Sequence, residues 1–359
     1  PNYDRALRDR GLAFYGKRDY DRAIADFSKA LELNPKYVEA YTRRGAAYHQ
    51  KGDFERAIGD YTRVTELTPD DFRGYLSRGI SHRLKRDYDR ALADYDKAIA
   101  LNPDSAEAYG NRGDVYSQKR DHDRAIVELR KAIELQPNHA LLHRNLAVAY
   151  RDKGDLDAAM RECDTAVSLN PRLALPYTTR GGIHWRKGDC DHAVADNTKA
   201  IELDPLYVDA YIARGVAFCR KGESDRAIAD YTKALELKPN DPLIYNNRGY
   251  TYQKRGDHDR AIADLDRAIE LKPQYVEAYN NRGAAYRDKG DLDRAMADLA
   301  KALELKPDHA EAYGNRARAW LMKKDYENAW KDVKRCRELG GQPDADLIQQ
   351  LRQASGRDQ

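Results

Sequence analysis

The chain has 359 residues, 41% hydrophobic and 34% charged, and its 63 Lys and Arg nearly cancel 60 Asp and Glu to leave +3. That balance excludes a nucleic-acid coat or a polybasic membrane anchor, and without an apolar run of about 18 residues no transmembrane helix is encoded. Cys163, Cys190, Cys219 and Cys336 stand far apart with no CxxC, so neither a disulfide framework nor a zinc knuckle is expected, and such thiols point to the cytoplasm.

The opening Pro1-Asn2-Tyr3-Asp4 has no signal-peptide pattern and no Met. It leaves open a removed start, a removed export signal, or a catalytic segment ahead of residue 1. From there prolines set the frame: Pro1, Pro35, Pro69, Pro103, Pro137, Pro171, Pro205, Pro239, Pro273 and Pro307 are each 34 residues apart. A fixed period of this size signals a solenoid. The expected units are 4–37, 38–71, 72–105, 106–139, 140–173, 174–207, 208–241, 242–275, 276–309 and 310–343, numbered internally from position 1 to 34.

Each unit predicts two helices. Apolar residues recur at helical spacing in two blocks, separated by a turn such as Lys289-Gly290-Asp291. Glycine there ends the first helix and aspartate caps the second, while each repeat-frame proline punctuates the second helix near its end. A cation at position 14 and an acid at position 18 of every unit fit the last turn of one helix and the first turn of the next. Position 20 is Ala in all ten units and position 8 is Gly in eight, with Ala147 and Ala317 in the others, so the two helices can approach closely. Position 7 is Arg in nine units, from Arg10 to Arg316, with Leu146 the exception, and position 23 is always acidic. A hairpin turning at positions 15–16 brings these two columns together, which predicts a bidentate Arg–carboxylate bridge inside each unit. Leu146 suggests that leucine is tolerated in the arginine column. The segment 344–359 ends the chain, and Leu347, Ile348, Leu351 and Ala354 form one stripe of a capping helix and tail.

This pattern resembles tetratricopeptide repeats. The resemblance implies an all-α, right-handed α-solenoid superhelix of helix-turn-helix repeats, with a concave groove lined by positions 2, 5, 9, 12 and 13 and with position 6 nearby. On that frame Arg8, Arg83, Arg144, Arg151, Arg186, Arg220, Lys254, Arg287 and Arg318 face the groove against Asp114, Asp152 and Asp288. A basic inner wall of this kind attracts an acidic partner. Asn recurs at position 6 as Asn111, Asn145, Asn247, Asn281 and Asn315, and amides of this kind clamp an extended peptide backbone through donor and acceptor alike. Tyr250 is a further groove residue. Unit 6 is the irregular point: Asn197 enters an apolar column, His184 replaces an aromatic beside it, Gly182 opens space, and Trp185 projects there beside Arg186. Trp with Arg is the composition of a binding hot spot. The family's clamp for chaperone C-termini is matched only loosely by Arg8, Leu12, Arg43, Arg73 and Ser77, so that ligand is not expected.

Catalysis finds no motif: GxSxG, HExxH, a P-loop and GxGxxG are all missing. The His residues occupy repeat columns, so no metal ligands and no cofactor are expected. The expected function is a non-catalytic protein-binding scaffold whose groove holds an acidic peptide or helical segment of a partner, with no nucleic acid and no membrane insertion. Self-association into dimers or filaments through the repeat ends, or a role as the repeat region of a larger enzyme, are the alternatives.

Overall fold

The structure, a computed structural model, describes residues 3–356 and divides into two compact units, Pro1–Arg172 and Leu173–Gln359. In the first, helices alternate as α1 (Tyr3–Gly16), α2 (Tyr20–Leu33), α3 (Val38–Gln50), α4 (Phe54–Leu67), α5 (Phe72–Leu84), α6 (Tyr88–Leu101), α7 (Ala106–Gln118), α8 (His122–Leu135), α9 (Ala140–Lys153) and α10 (Leu156–Leu169). The second holds α11 (Ala174–Arg186), α12 (Cys190–Leu203), α13 (Val208–Arg220), α14 (Ser224–Leu237), α15 (Pro242–Arg255), α16 (His258–Leu271), α17 (Val276–Lys289), α18 (Leu292–Leu305), α19 (Ala310–Met322), α20 (Tyr326–Glu338) and α21 (Ala345–Ser355). No strand occurs among the described residues, and no helix there is long and apolar enough to cross a membrane. Odd and even helices pack as ten successive pairs, and within each unit every pair stacks on the next, giving an all-α solenoid.

Local chemistry sets each hairpin. The turn needs one left-handed residue, supplied by glycines such as Gly154 (φ 100°) and Gly290 (φ 90°), but by Arg18, Arg86, Arg120 and Lys324 at φ 60–64° in four pairs. The next residue caps the even helix: the Asp53 carboxylate accepts from the Arg56 backbone N–H at 3.2 Å, and Asp121 does the same for Arg124. Such a cap is worth about 1 kcal/mol. Arginines of that first turn then lie over the aromatic ring near the end of the odd helix, as Arg56 does 4.6 Å from the Tyr48 centroid.

The core is a seam of small against large. Ala23, Ala57, Ala91, Ala125, Ala227, Ala261, Ala295 and Ala329 are fully buried. A Cβ on Gly113 would meet Leu129 at 2.8 Å and one on Gly215 would meet Tyr231 at 2.7 Å, so glycine is required where the partner is large. Where that glycine becomes Ala147 or Ala317, the residue at the facing position shrinks to Cys163 or Val333, both fully buried. Burying each large side chain of this seam contributes about 1.5–3 kcal/mol.

Between neighbours in a stack, the cation at position 14 meets the acid at position 18 of the preceding pair: Lys119 with Asp89 at 2.7 Å, Lys221 with Asp191 at 2.7 Å, and likewise Lys51 with Asp21 and Arg255 with Asp225. These exposed bridges are individually weak. Two columns read from sequence as helix-end charges are thus also a seam between pairs. At the C-terminus, Leu347 and Leu351 of α21 are buried against Ala317, Ala329 and Val333, and Trp330 donates to the Ser355 hydroxyl at 3.1 Å.

Candidate functional site

The arginine column forms a fork on the facing carboxylate in nine of the ten pairs, largely buried in all but the first, where Arg10 is exposed. Arg248 Nε donates to Asp264 at 2.7 Å and Nη2 at 2.8 Å, and Arg10, Arg44, Arg78, Arg180, Arg214, Arg282 and Arg316 reach their aspartates in the same two-handed way. Arg112 brings both nitrogens to one oxygen of Glu128. Hydrogen bonding to the carboxylate holds the Arg248 guanidinium above its usual pKa against the opposing effect of burial. The remaining nitrogen reaches back to the preceding pair, from Arg44 to Ser28 at 2.9 Å, Arg214 to Thr198 at 3.1 Å, Arg248 to Thr232 at 3.0 Å and Arg282 to Asp266 at 2.6 Å.

Pair five is rebuilt around Leu146. Glu162 there is bonded by His143 Nδ1 at 2.7 Å, whose Nε2 meets the Pro137 carbonyl at 2.9 Å. Arg130, from the preceding pair, bonds the Tyr150 hydroxyl and lies over its ring. Leucine in this column therefore comes with two compensating changes, His143 and Arg130, that no other pair carries.

In the first unit the expected groove residues form short local contacts. Asn145 donates to Asp114 at 2.9 Å and accepts from Arg144 at 3.1 Å, whereas Asn111 turns back onto the Glu107 carbonyl at 2.9 Å. Burial pushes the Asp114 carboxyl up, against Arg83, Arg144 and the Asn145 bond, which favour its charge. Arg151 pairs with Asp152 at 2.9 Å.

In the second unit the amides connect. Arg287 donates to Asn315 at 2.9 Å, Asn315 to Asn280 at 2.9 Å, Asn280 to Asn281 at 3.4 Å, Asn281 to Asn246 at 3.0 Å, and Asn246 to Asn247 at 3.4 Å. All these bonds run in one direction, so their dipoles add. Asn246 and Asn280 at position 5 are the rungs that a reading of position 6 alone missed; both are buried, and the doublets Asn246-Asn247 and Asn280-Asn281 are the signal in the sequence.

The chain of amides ends at a cavity of about 320 Å³ lined by Trp185, Val216, Cys219, Arg220, Tyr231, Asn247 and Tyr250. The guanidinium over the Trp185 ring, 5.2 Å from its centroid, belongs to Arg220 and not to the expected Arg186, and Arg220 also donates to the Trp185 carbonyl at 2.8 Å. Arg186 is exposed. The buried Trp185 Nε1 has no hydrogen-bond partner. Lys254 lies 5.5 Å from the Tyr250 ring.

Charge on this face is less positive than the column count suggests. Arg8 pairs with Glu39, Arg287 with Asp288 at 2.7 Å, and Arg318 with Asp344 at 2.6 Å on the chain's last helix and its cap. Arg220 and Lys254, resting on aromatic rings, concentrate the positive charge beside the cavity.

Pair six departs from expectation in two respects. His184 does not serve Asn197, whose Nδ2 donates to the Ala193 carbonyl at 2.8 Å and whose buried Oδ1 is left without a partner. Instead His184 turns to Asp189 and His192, and ligand atoms of all three lie within 4.8 Å of one another. Taken column by column the histidines suggest no metal ligands, whereas positions 11, 16 and 19 of this one unit bring the trio together.

Family models described as tetratricopeptide repeat match residues 8–72, 106–139, 128–161, 197–229, 246–309 and 285–335, and one described as TPR repeat matches 81–120 and 215–256. The chain belongs to the tetratricopeptide repeat family. No curated protein sequence gives a significant match. Among solved structures, a tetratricopeptide repeat protein from Parabacteroides merdae ATCC 43184 is 22% identical, with 70% of this chain and 99% of that one covered at a TM-score of 0.61. The APC/C hetero-tetramer Cut9-Hcn1 is 14% identical, with 98% and 96% covered at 0.55. At these identities the likeness concerns the fold. Repeats of this family serve as scaffolds for protein–protein interaction.

Proposed function

We propose that the chain is a non-catalytic scaffold whose odd-helix face holds an extended, acidic segment of a partner protein, with residues 4–343 as ten repeats and 344–359 as the cap. The observation that carries this reading is the one-way chain of side-chain hydrogen bonds from Arg287 to Asn247, which opens on the Trp185–Arg220 cavity. An extended backbone presents a donor and an acceptor at every residue, and amides answer both without reading sequence. Arg220 and Lys254 supply attraction for carboxylates beside the cavity, and the Trp185 ring gives it an apolar wall.

Selection of displayed random peptides on the purified protein tests this. Acidic sequences should be enriched, and fluorescence anisotropy of the winners should show at least a tenfold loss for Arg220→Glu and for Trp185→Ala at an unchanged melting temperature. Enrichment of basic or charge-neutral peptides, or affinities indifferent to both substitutions, would overturn the reading. Light scattering on the same samples reports self-association, and a labelled single-stranded RNA in the same assay should stay unbound.

A further inference from the structure

In the ordinary pair an aromatic residue at the end of the odd helix, a capping aspartate and a first-turn arginine form one cluster. Phe14, Asp19 and Arg22 show it, with the guanidinium 4.6 Å from the ring centroid and bonded to the aspartate that caps its helix. Tyr48, Asp53 and Arg56 repeat it, as do Tyr116, Asp121 and Arg124. The fold thus brings positions 11, 16 and 19 of a pair to one point at the turn. In pair six two of the three are histidines.

We propose that His184, Asp189 and His192 form a binding site for a divalent transition-metal ion of the zinc class. The two imidazoles stack with centroids 5.0 Å apart and planes 20° from parallel. Asp189 divides its oxygens: Oδ1 accepts from the His192 backbone N–H at 3.1 Å and caps α12, while Oδ2 faces His192 Nδ1 at 2.6 Å and His184 Nδ1 at 3.4 Å. The three ligand atoms lie within 4.8 Å of one another, and turning the exposed His192 ring out of its stack on His184 would let the lone pairs converge on one ion at the roughly 2.0–2.2 Å of zinc–nitrogen and zinc–oxygen bonds. His192 is exposed, so it can rotate at little cost and the ion can enter from solvent.

The surroundings favour the assignment. On its far side the His184 ring presents Nε2 to Asp196 at 4.0 Å, the direction from which a carboxylate orients a metal-bound imidazole. Asp196 is itself held by Arg180 at 2.7 and 2.9 Å. Two imidazoles and one carboxylate suit zinc, nickel, cobalt or copper and do not suit calcium or magnesium, which want oxygen ligands throughout. Three protein ligands leave a coordination position for water or a ligand group. Because the trio ties the end of α11 to the start of α12, a bound ion would brace the turn next to Trp185.

The test uses substitutions that the fold already accommodates. Arginine stands at position 19 in seven of the ten units and tyrosine at position 11 in five, so His192→Arg and His184→Tyr return pair six to the prevailing pattern. Untagged, EDTA-treated full-length protein is titrated with zinc chloride by calorimetry and, separately, with cobalt chloride by visible absorbance. One strong zinc site per chain is expected, with at least a tenfold loss of affinity in either variant at an unchanged metal-free melting temperature. Cobalt should give visible bands for the parent that both variants lack, and nitrogen-15 shifts of the His184 and His192 rings should move on zinc addition. Equal zinc affinity in parent and variants, no binding by the parent, or calcium binding as tight as zinc would each overturn the proposal.

Discussion

Replacing Arg248 by leucine removes a guanidinium that sits on Asp264 with two bonds of 2.7 and 2.8 Å, and the side chains involved are only 18% and 10% exposed. Breaking a buried pair from one side costs about 3–5 kcal/mol because the other charge is left behind. Asp264 is short and cannot follow water outward, so Arg248→Leu should carry the full penalty, about 3–5 kcal/mol. Asp264→Leu should cost somewhat less, about 1–3 kcal/mol, since the long arginine keeps Thr232 at 3.0 Å and can carry its head towards solvent. The double variant should lose less than either single one, because an apolar pair of similar volume is often neutral. Pair five supplies a rescue: Thr232→Arg, Tyr245→His and Asp264→Glu added to Arg248→Leu reproduce Arg130, His143, Glu162 and Leu146 at equivalent positions, and should restore at least half of the loss. Repeat arrays need not unfold in one step, so amide exchange of α15 and α16 is the measure, supported by urea melts. A loss below about 0.5 kcal/mol for Arg248→Leu, or a double variant equal to the sum of the singles, would refute the reasoning.

Three further outcomes are expected. Asp114→Asn should raise the melting temperature at neutral pH: burial lifts the Asp114 pKa above its unfolded value, so its stabilising share is complete only below the unfolded pKa and is lost as pH rises through the folded one. The advantage of the variant should accordingly grow from about pH 3.5 upward, and thermal melts showing the reverse trend would sink the assignment. Asn197→Leu should stabilise by about 1–3 kcal/mol, because it removes a buried unpaired carbonyl and matches the glycine–leucine packing of Gly113 with Leu129, which chemical denaturation can check. Arg120→Gly should gain about 0.5–1 kcal/mol by relieving a side chain held at φ 62°, less the entropy glycine loses on folding; an unchanged or lowered midpoint would contradict it.

The hairpins were legible because the same local decisions recur from pair to pair: a left-handed turn residue and an alanine facing the partner helix in all ten, and a capping aspartate in nine, with Glu223 in the other. The Arg–carboxylate fork was legible for a different reason, since an invariant charge column inside an apolar seam demands an opposite column at the mirrored position. What reached beyond one unit was harder to read. Lys119 with Asp89, or Arg248 with Thr232, joins residues 30 and 16 apart in neighbouring pairs, and no periodicity within a unit distinguishes such a link from a solvated surface charge. The Asn chain was half seen, because Asn247 and Asn281 recur while their partners Asn246 and Asn280 occupy a column that holds Arg, Thr, Leu, Gly and Ile elsewhere. Trp185 meeting Arg220 depends on how α11 sits on α13, a packing angle that the residues alone do not encode.

In six forks the third nitrogen makes the arginine a rivet through two layers, and rivets need something to grip. Ser28, Thr62, Asp96, Thr198, Thr232 and Asp266 each offer an oxygen to the arginine of the following pair. Ala300 occupies the equivalent place before Arg316 and offers only a methyl group. That seam is left to the Arg287–Asn315–Asn280 bonds and the exposed Lys323–Asp293 bridge, so pulled from its C-terminus the stack should part first between α18 and α19, releasing α19, α20 and α21 as one piece while the pairs of α15 through α18 stay joined. The same seam would give the chain a natural hinge, where the last pair can tilt without disturbing the amide chain's inner rungs at Asn246 and Asn281.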